Sequence, residues 1–390
     1  MCIKNKDLQN KIVNTIFYIA LTIELIIMIV EKSDLSFSLE SYVFRVTFVL
    51  SLLCVIIMTH SISEWVLLIM IWSFTFYCYK TTGNNDLLRI AIFVMAARDI
   101  DLEKTMRYIL IFTSFGFAII SFLSLLGILG SIFVIDDYGH GNPNELRYVL
   151  GFGHPNTLFS SIYSILLLWV WNYGKKAKWW HFAIITLFMI IICFITSSRT
   201  SIIISLLTIV LTVIARFLPN IAKKDISYIT AGFISPILCV IFSMYSAGIS
   251  HIIPYLWEKD WRSILDSSLT NRIKDLYYSN DRHSGAIETW ELFSNRTSTE
   301  YFDMGWVRMF YWYGIIPTTF IIIAIIFLLY LCSKEKDIWT TILVISLGTY
   351  TTIEATYVSS YIGRNFMLII LGAYIGKWLK GNCISNYHSE

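Results

Sequence analysis

Apolar residues run through this chain in long, nearly unbroken blocks, with short polar stretches between them. A helix needs about 20 such residues to cross a hydrocarbon core of about 30 Å, so blocks of this length predict membrane-spanning helices. Twelve segments qualify: 12–30, 42–59, 63–80, 86–98, 106–130, 156–173, 182–196, 200–217, 227–246, 304–331, 338–354 and 361–378. The fourth and seventh are short, which keeps eleven open; twelve place both termini on the same side. The expected fold is an all-α polytopic membrane protein, one transmembrane domain over 1–390. It has one large, partly helical loop at about 247–303.

Composition sharpens this. Of 390 residues 56% are hydrophobic and 15% charged, where soluble domains carry about 25% charged residues. Mean hydropathy is +0.65. A soluble globular enzyme is excluded. A net charge of +3 argues for neither a nucleic-acid partner nor a polybasic anchor. The seven cysteines are scattered without a CxxC pair, and read as small apolar residues rather than disulfides or zinc ligands. The first apolar run reads as a retained helix, not a cleavable signal.

Charge then orients the chain. With a cytoplasmic amino terminus, one face gathers Lys4, Lys6, Lys11, Lys104, Lys175, Lys176, Lys178, Lys223, Lys224, Lys334, Lys336, Lys377 and Lys380, with Arg98, Arg107 and Arg216, all in short loops and tails. That is the positive-inside pattern of a multi-pass plasma-membrane protein with both termini cytoplasmic. Thirteen of 17 lysines fall inside, but ten of 13 arginines fall outside or at outer helix ends: Arg45, Arg89, Arg147, Arg199, Arg262, Arg272, Arg282, Arg296, Arg308 and Arg364. Insertion alone does not require arginine outside. Guanidinium forms a fork that matches phosphate oxygens bidentately, so this asymmetry suggests a phosphate or diphosphate ligand at the outer surface. Pairing with outer acids such as Asp266, Asp275, Glu288 and Glu300, or with lipid headgroups, is the plainer alternative for most of them.

Four outer segments could carry chemistry. Arg147 to Thr157 contains Gly-Phe-Gly-His154-Pro155-Asn156, with Asn156 or Thr157 as the expected N-cap of the next helix and His154 at its start, a natural place for an anion. Ser197-Ser198-Arg199-Thr200 forms a tight turn, where an arginine so close to the membrane is costly unless paired. Thr270-Asn271-Arg272 lies in the long loop. Asp303-Met-Gly-Trp-Val-Arg308 leads to Gly314 and Pro317. The loop's aromatic residues, among them Tyr255, Trp257, Trp261 and Trp290, suit either sugar rings or an interfacial belt.

Together these residues resemble the bacterial O-antigen and capsular polysaccharide polymerases (Wzy-type), within the O-antigen ligase superfamily. GFGHPN at 151–156 with Arg147 upstream resembles the Gram-positive capsule polymerases most closely. SSRT at 197–200 resembles the family's short Ser-Arg turn, and TNR at 270–272 its Gly-Arg element, with Asn271 where glycine is usual. The ligase branch has a histidine where Asp303 stands here, followed by one residue and then nine more before the glycine motif that Gly314 and Pro317 match. That departure counts against a ligase. The resemblance covers roughly 150–320 and the helix layout of the whole chain.

What the resemblance implies is a C-type glycosyltransferase architecture and a metal-independent, cofactor-free transfer at the outer membrane face. A growing glycan would pass from undecaprenyl diphosphate to the next lipid-linked repeat unit, in capsule, exopolysaccharide or O-antigen synthesis. Arg199 and Arg272 become diphosphate contacts, with Arg147 a third; Asp303 becomes the general base, with His154 behind it. An ion pair to Arg308 or a helix cap is the structural alternative for Asp303. Partners are the undecaprenyl-diphosphate-linked repeat units and membrane lipid, with a chain-length regulator and a flippase as optional ones.

Two other functions stay open. A ligase-type transfer to another acceptor would need a histidine such as His283 in place of Asp303. A flippase or transporter would use Glu24, an acid near the middle of the first helix; Glu354 is expected to line the outer pocket or to pair with Arg364. No internal repeat of transporter type is visible. His140, His154, His251, His283 and the Asp136–Asp137 pair lack ligand spacing, so no metal is expected.

Overall fold

The computed structural model describes residues 2–35, 40–136, 145–197, 199–278, 285–294, 302–355, 357 and 365–387, with side chains for all of these except 2–6, 40, 41, 199–201, 235, 278 and 382–387. Helices take 79% of the described residues. Packing divides the chain into two compact units. One holds Met1–Gly130, Gly151–Gly153 and Asn365–Glu390, the other Ser131–Leu150 and His154–Arg364.

The first unit begins with α1 (Cys2–Glu31), α2 (Glu40–Ile57), α3 (Ile62–Thr82), α4 (Asp86–Ala96) and α5 (Leu102–Leu125). Local chemistry sets their ends. Ser61 and Glu64 cap each other's backbone at the start of α3, and Gly83, at φ +73°, stops it in the left-handed region. Asp101 accepts from Lys104 N to begin α5. α4 has only 11 residues, about 16 Å of helix, roughly half of what the hydrocarbon core needs. Arg98, just beyond α4, is buried but fully engaged: Glu64 at 3.1 Å, Asp99 at 2.6 Å, His60 Nδ1 at 2.7 Å and the Thr59 carbonyl at 2.9 Å. Glu24 accepts from the Thr47 hydroxyl, and Arg89 stands 3.9 Å from it.

The second unit opens with an antiparallel ribbon, β1 (Phe133–Asp136) against β2 (Glu145–Tyr148), Phe133 facing Tyr148 and Asp136 facing Glu145. Then follow α6 (Pro155–Tyr173), α7 (Trp179–Thr196), α8 (Arg199–Phe217), α9 (Pro219–Ala222), α10 (Asp225–Phe233), α11 (Cys239–Ile249), α12 (Trp261–Ser268), α13 (Arg272–Tyr278), α14 (Gly305–Tyr313), α15 (Ile315–Glu335) and α16 (Ile338–Thr351). α10 runs into α11 through a π turn over Ile234–Leu238. Pro236 sits inside it; a proline removes one backbone donor and crowds the carbonyl four residues back, and widening the turn relieves both. The chain returns to the first unit with α17 (Asn365–Tyr387). There Gly372 and Gly376 lie against the backbone of Val94 and Arg98, where a Cβ would come within 2.2 Å and 2.1 Å of carbonyl oxygens. This is the small-residue spacing that lets helices approach closely in a membrane.

The expected segment at 304–331 differs most. It is two helices, α14 and α15, broken at Gly314, whose φ of 93° and ψ of 171° lie in a region essentially restricted to glycine. The loop expected at 247–303 still carries the end of α11 and then holds α12 and α13.

Among the described residues, six helices are long and apolar enough to cross a membrane: Asp7–Glu31, Ile62–Thr82, Leu102–Leu125, Trp179–Thr196, Asp225–Ile249 and Ile315–Glu335. Burial in them runs opposite to a soluble core. Phe115, Phe122, Leu187 and Phe194 are exposed, while Thr105, Thr113, Thr196, Ser243 and Ser246 are buried. Small polar groups inside and large apolar ones outside suit lipid as solvent. The chain is an all-α, multi-pass membrane protein. Within the second unit, Ser160 bonds Tyr350 at 2.8 Å, Tyr163 bonds Thr208 at 2.7 Å, and Thr208 donates to Ser346 at 3.0 Å, tying α6, α8 and α16 together.

Candidate functional site

The second unit gathers several of the sequence-predicted residues at one place. Their positions begin with Asp266. After α12 the chain turns through Thr270 and Asn271, both at positive φ (61° and 63°), a conformation that asparagine tolerates better than most residues. Asp266 closes the turn: its carbonyl accepts from Asn271 N at 2.9 Å, and its carboxylate accepts from Ile273 N at 2.8 Å and Lys274 N at 3.1 Å. Burial pushes the Asp266 carboxyl up, against the pull of those two amides. The turn delivers Arg272 as the first residue of α13.

Packing then brings Asp303 alongside. Leu276 of α13 is fully buried in one apolar cluster with Phe302, Met304, Val307, Tyr311 and Ala247. Asp303 lies between two members of that cluster, Phe302 and Met304. Its carboxylate takes a hydrogen bond from Arg272 Nε at 2.9 Å. Neither structural alternative for Asp303 is realised: Met304 occupies the N-cap of α14, and the guanidinium of Arg308 lies over the Trp312 ring at 3.8 Å.

A second carboxylate completes the clamp. Arg272 Nη2 donates to Glu354 Oε1 at 2.5 Å. Glu354 follows α16, and α14 starts hard against it: a Cβ on Gly305 would lie 2.6 Å from the Glu354 carbonyl and 2.9 Å from Ala355 Cα. Only glycine permits that approach. Trp306 reinforces it by donating to the Gly348 carbonyl at 3.0 Å. Asn156 Nδ2 reaches Glu354 Oε1 at 3.4 Å. The expected partner of Glu354, Arg364, lies outside the described residues.

Arg272 is buried, and two of its three nitrogens are committed. The third, Nη1, is buried with no hydrogen-bond partner among the described residues. Burial works against its charge, but Glu354 and then Asp303 more than offset this, so its pKa is raised. The carboxylates differ in access: the Asp303 side chain is 30% exposed and that of Glu354 7%. The arrangement offers one reachable carboxylate to accept a proton and one buried cationic N–H face without a partner.

His154 completes the group. The helix N-cap expected at Asn156 or Thr157 falls on His154, with Pro155 at the first helical position, where its missing N–H costs nothing. Its Nδ1 accepts from Asn156 N at 3.2 Å, which leaves the proton of the neutral ring on Nε2. Although the side chain is exposed, partial burial lowers its pKa; Asp303 opposes the shift, and Arg147 and Arg272 add to it. Arg147, on β2, is buried and pairs with Glu145 at 3.0 Å, the plainer alternative for an outer arginine. The side chain of Arg199 lies outside the described residues, as do Ser198, Asp137, His140, Arg282, His283, Arg296 and Glu300.

Of the residues singled out from sequence, Arg272 and Asp303 are in direct contact, Arg147 is paired with Glu145, and His154 caps α6. Sequence reasoning gave Glu354 no role beside Arg272 and passed over Gly305 and the side chain of Asn156. The available signal was an acid at the end of an apolar segment, which a bilayer tolerates only with a partner. Among the described residues no group of three His, Cys, Asp or Glu stands close enough to hold a metal ion. No protein-family model matches the chain, and neither does any curated protein or solved structure.

Proposed function

We propose that this protein is a polysaccharide polymerase of the plasma membrane, crossing it about twelve times with both termini cytoplasmic. It transfers glycan from undecaprenyl diphosphate onto a lipid-linked repeat unit at the outer face. The observation that carries this reading is the 2.9 Å bond between Arg272 Nε and Asp303. It joins, across 31 residues of chain, the two loop segments in which the family resemblance puts its diphosphate contact and its base. Further support is that Asn156, from the GFGHPN segment, reaches the same Arg272 through Glu354. Asn271, where the resembling motif has glycine, stands at a φ of 63°, a left-handed geometry that glycine adopts freely.

In this reading the acceptor hydroxyl oxygen attacks the anomeric carbon of the donor. Its proton passes to Asp303, the bond from that carbon to the diphosphate oxygen breaks, and undecaprenyl diphosphate leaves. Arg272 has two tasks. Nε and Nη2 hold Asp303 and Glu354 in place, and Nη1 faces the charge that develops on the leaving diphosphate. Two carboxylates beside one guanidinium are a poor general anion site, so diphosphate binding also draws on other cations, for which Arg199 is the proposed contributor.

The test uses purified protein in lipid nanodiscs with a synthetic undecaprenyl-diphosphate-linked repeat unit and products separated by size. Wild type yields a ladder of repeats and Asp303→Asn yields none. Wild type without a ladder, given the correct repeat unit, or a full ladder from Asp303→Asn, would overturn the assignment.

A further inference from the structure

The first unit contains a cavity of about 360 Å³ that the polymerase reading leaves unused. Its lining includes Phe44, Arg45 and Phe48 of α2, Tyr79 of α3, and Asn85 and Arg89 at the start of α4. Two guanidiniums thus face a space otherwise walled mainly by aromatic and aliphatic side chains.

Arg89 is held to acids only by two long ion pairs, and Arg45 by none, among the described residues. Arg89 lies over the Phe44 ring at 3.9 Å, which fixes the plane of its guanidinium. Its nearest acids, Asp86 and Glu24, are each 3.9 Å away, beyond hydrogen-bond reach, and Glu24 already accepts from Thr47. Arg45 is exposed, 5.4 Å from the Tyr42 ring centre, and forms no ion pair among the described residues. Asn85 caps α4 without a side-chain bond, so the partial positive charge of that helix end also points into this region.

We propose that this cavity binds the phosphate of an anionic phosphodiester lipid, with Arg45 and Arg89 on the phosphate oxygens and the apolar part against Phe44 and Phe48. Charge counting favours a diester. The two guanidiniums and the carboxylates of Asp86 and Glu24 sum to zero, leaving the helix end and the Asn85 amide to tip the balance toward one negative charge rather than two. The site is therefore distinct in chemistry from a diphosphate site, and it does not depend on the polymerase reading.

The experiment titrates the full-length protein in detergent with phosphatidylglycerol and counts retained lipid by native mass spectrometry. Wild type is compared with Arg45→Gln and with Arg107→Gln, a control that removes an equal charge from an exposed arginine paired to Glu103. One tightly retained lipid is expected in wild type and control, with affinity about tenfold lower in Arg45→Gln, the loss of one charge-assisted contact. A second arm adds inorganic phosphate in excess. Displacement of the lipid shows that the headgroup phosphate alone is recognised; retention shows that the acyl part contributes as well. Both support the site. Equal binding in wild type and Arg45→Gln, or equal loss in Arg45→Gln and Arg107→Gln, overturns it.

Discussion

Arg272 and Glu354 stand 82 residues apart in sequence and meet at 2.5 Å, each less than a tenth exposed. Removing one partner of a buried ion pair strands the other charge, at a cost of about 3–5 kcal/mol. Arg272→Ala is therefore expected to destabilise the protein by that order, measured by denaturant unfolding in detergent. Adding Glu354→Gln to Arg272→Ala should recover much of the loss, because the stranded carboxylate is gone. A double variant no more stable than Arg272→Ala would show that the pair does not carry the effect.

His154 sets a pH dependence. Its pKa lies below the ordinary 6.5, from partial burial and the charges of Arg147 and Arg272, with Asp303 acting the other way. The folded protein then binds fewer protons at this site than the unfolded chain, so the contribution is complete above pH 6.5 and is lost as pH falls through the folded pKa. His154→Asn keeps a good N-cap without the titration. Its unfolding midpoint, followed from about pH 8 to about pH 5, should fall less steeply than that of wild type.

Gly305 tests whether the clamp needs close approach. A Cβ there meets backbone atoms of Glu354 and Ala355, so Gly305→Ala must move α14 away from Glu354 and separate Glu354 from Asp303. Polymer formation in nanodiscs should fall at least about tenfold, since displacements near 1 Å at a reacting centre are costly. Helicity should persist. Gly248→Ala, where a Cβ meets nothing within 4 Å, is the matched control.

In the first unit, Gly372→Leu should loosen the packing of α17 on α4. Its new side chain would begin 2.2 Å from the Val94 carbonyl oxygen and 2.8 Å from Ala97 Cβ, overpacking worth about 1–3 kcal/mol. Thermal unfolding of Gly372→Leu against Gly381→Leu, which has open space around it, measures the difference.

Local features were readable in advance where local chemistry decides them. The apolar blocks become helices, and ends such as Gly83 and the Ser61–Glu64 box are written in neighbouring residues. The break at Gly314 was not readable, because the apolar pattern continues straight through 304–331 and only the backbone angles betray the corner. The N-cap of α6 lies two or three residues before the expected position, because a histidine ring nitrogen serves as cap where a smaller acceptor is the usual choice. At the site, Asp303 and Arg272 could be picked as residue types, but their bond depends on a hydrophobic cluster and on Gly305, neither of which a linear motif records. Glu354 shows the same limit: its need for a cation was legible, whereas the identity of that cation depends on the fold.

The π turn over Ile234–Leu238 changes the phase of everything beyond it. One additional residue in a helical turn advances the following side chains by about 100° around the axis. A single helical wheel drawn through Asp225–Ile249 therefore assigns the second half to the wrong side. The buried set Ser243, Ser246 and Ala247 faces inward only because of that offset. Deleting one residue from the turn would leave composition and hydropathy almost untouched. It would also rotate those three side chains out of the interior and carry Ile241 and Met244, now exposed, toward it.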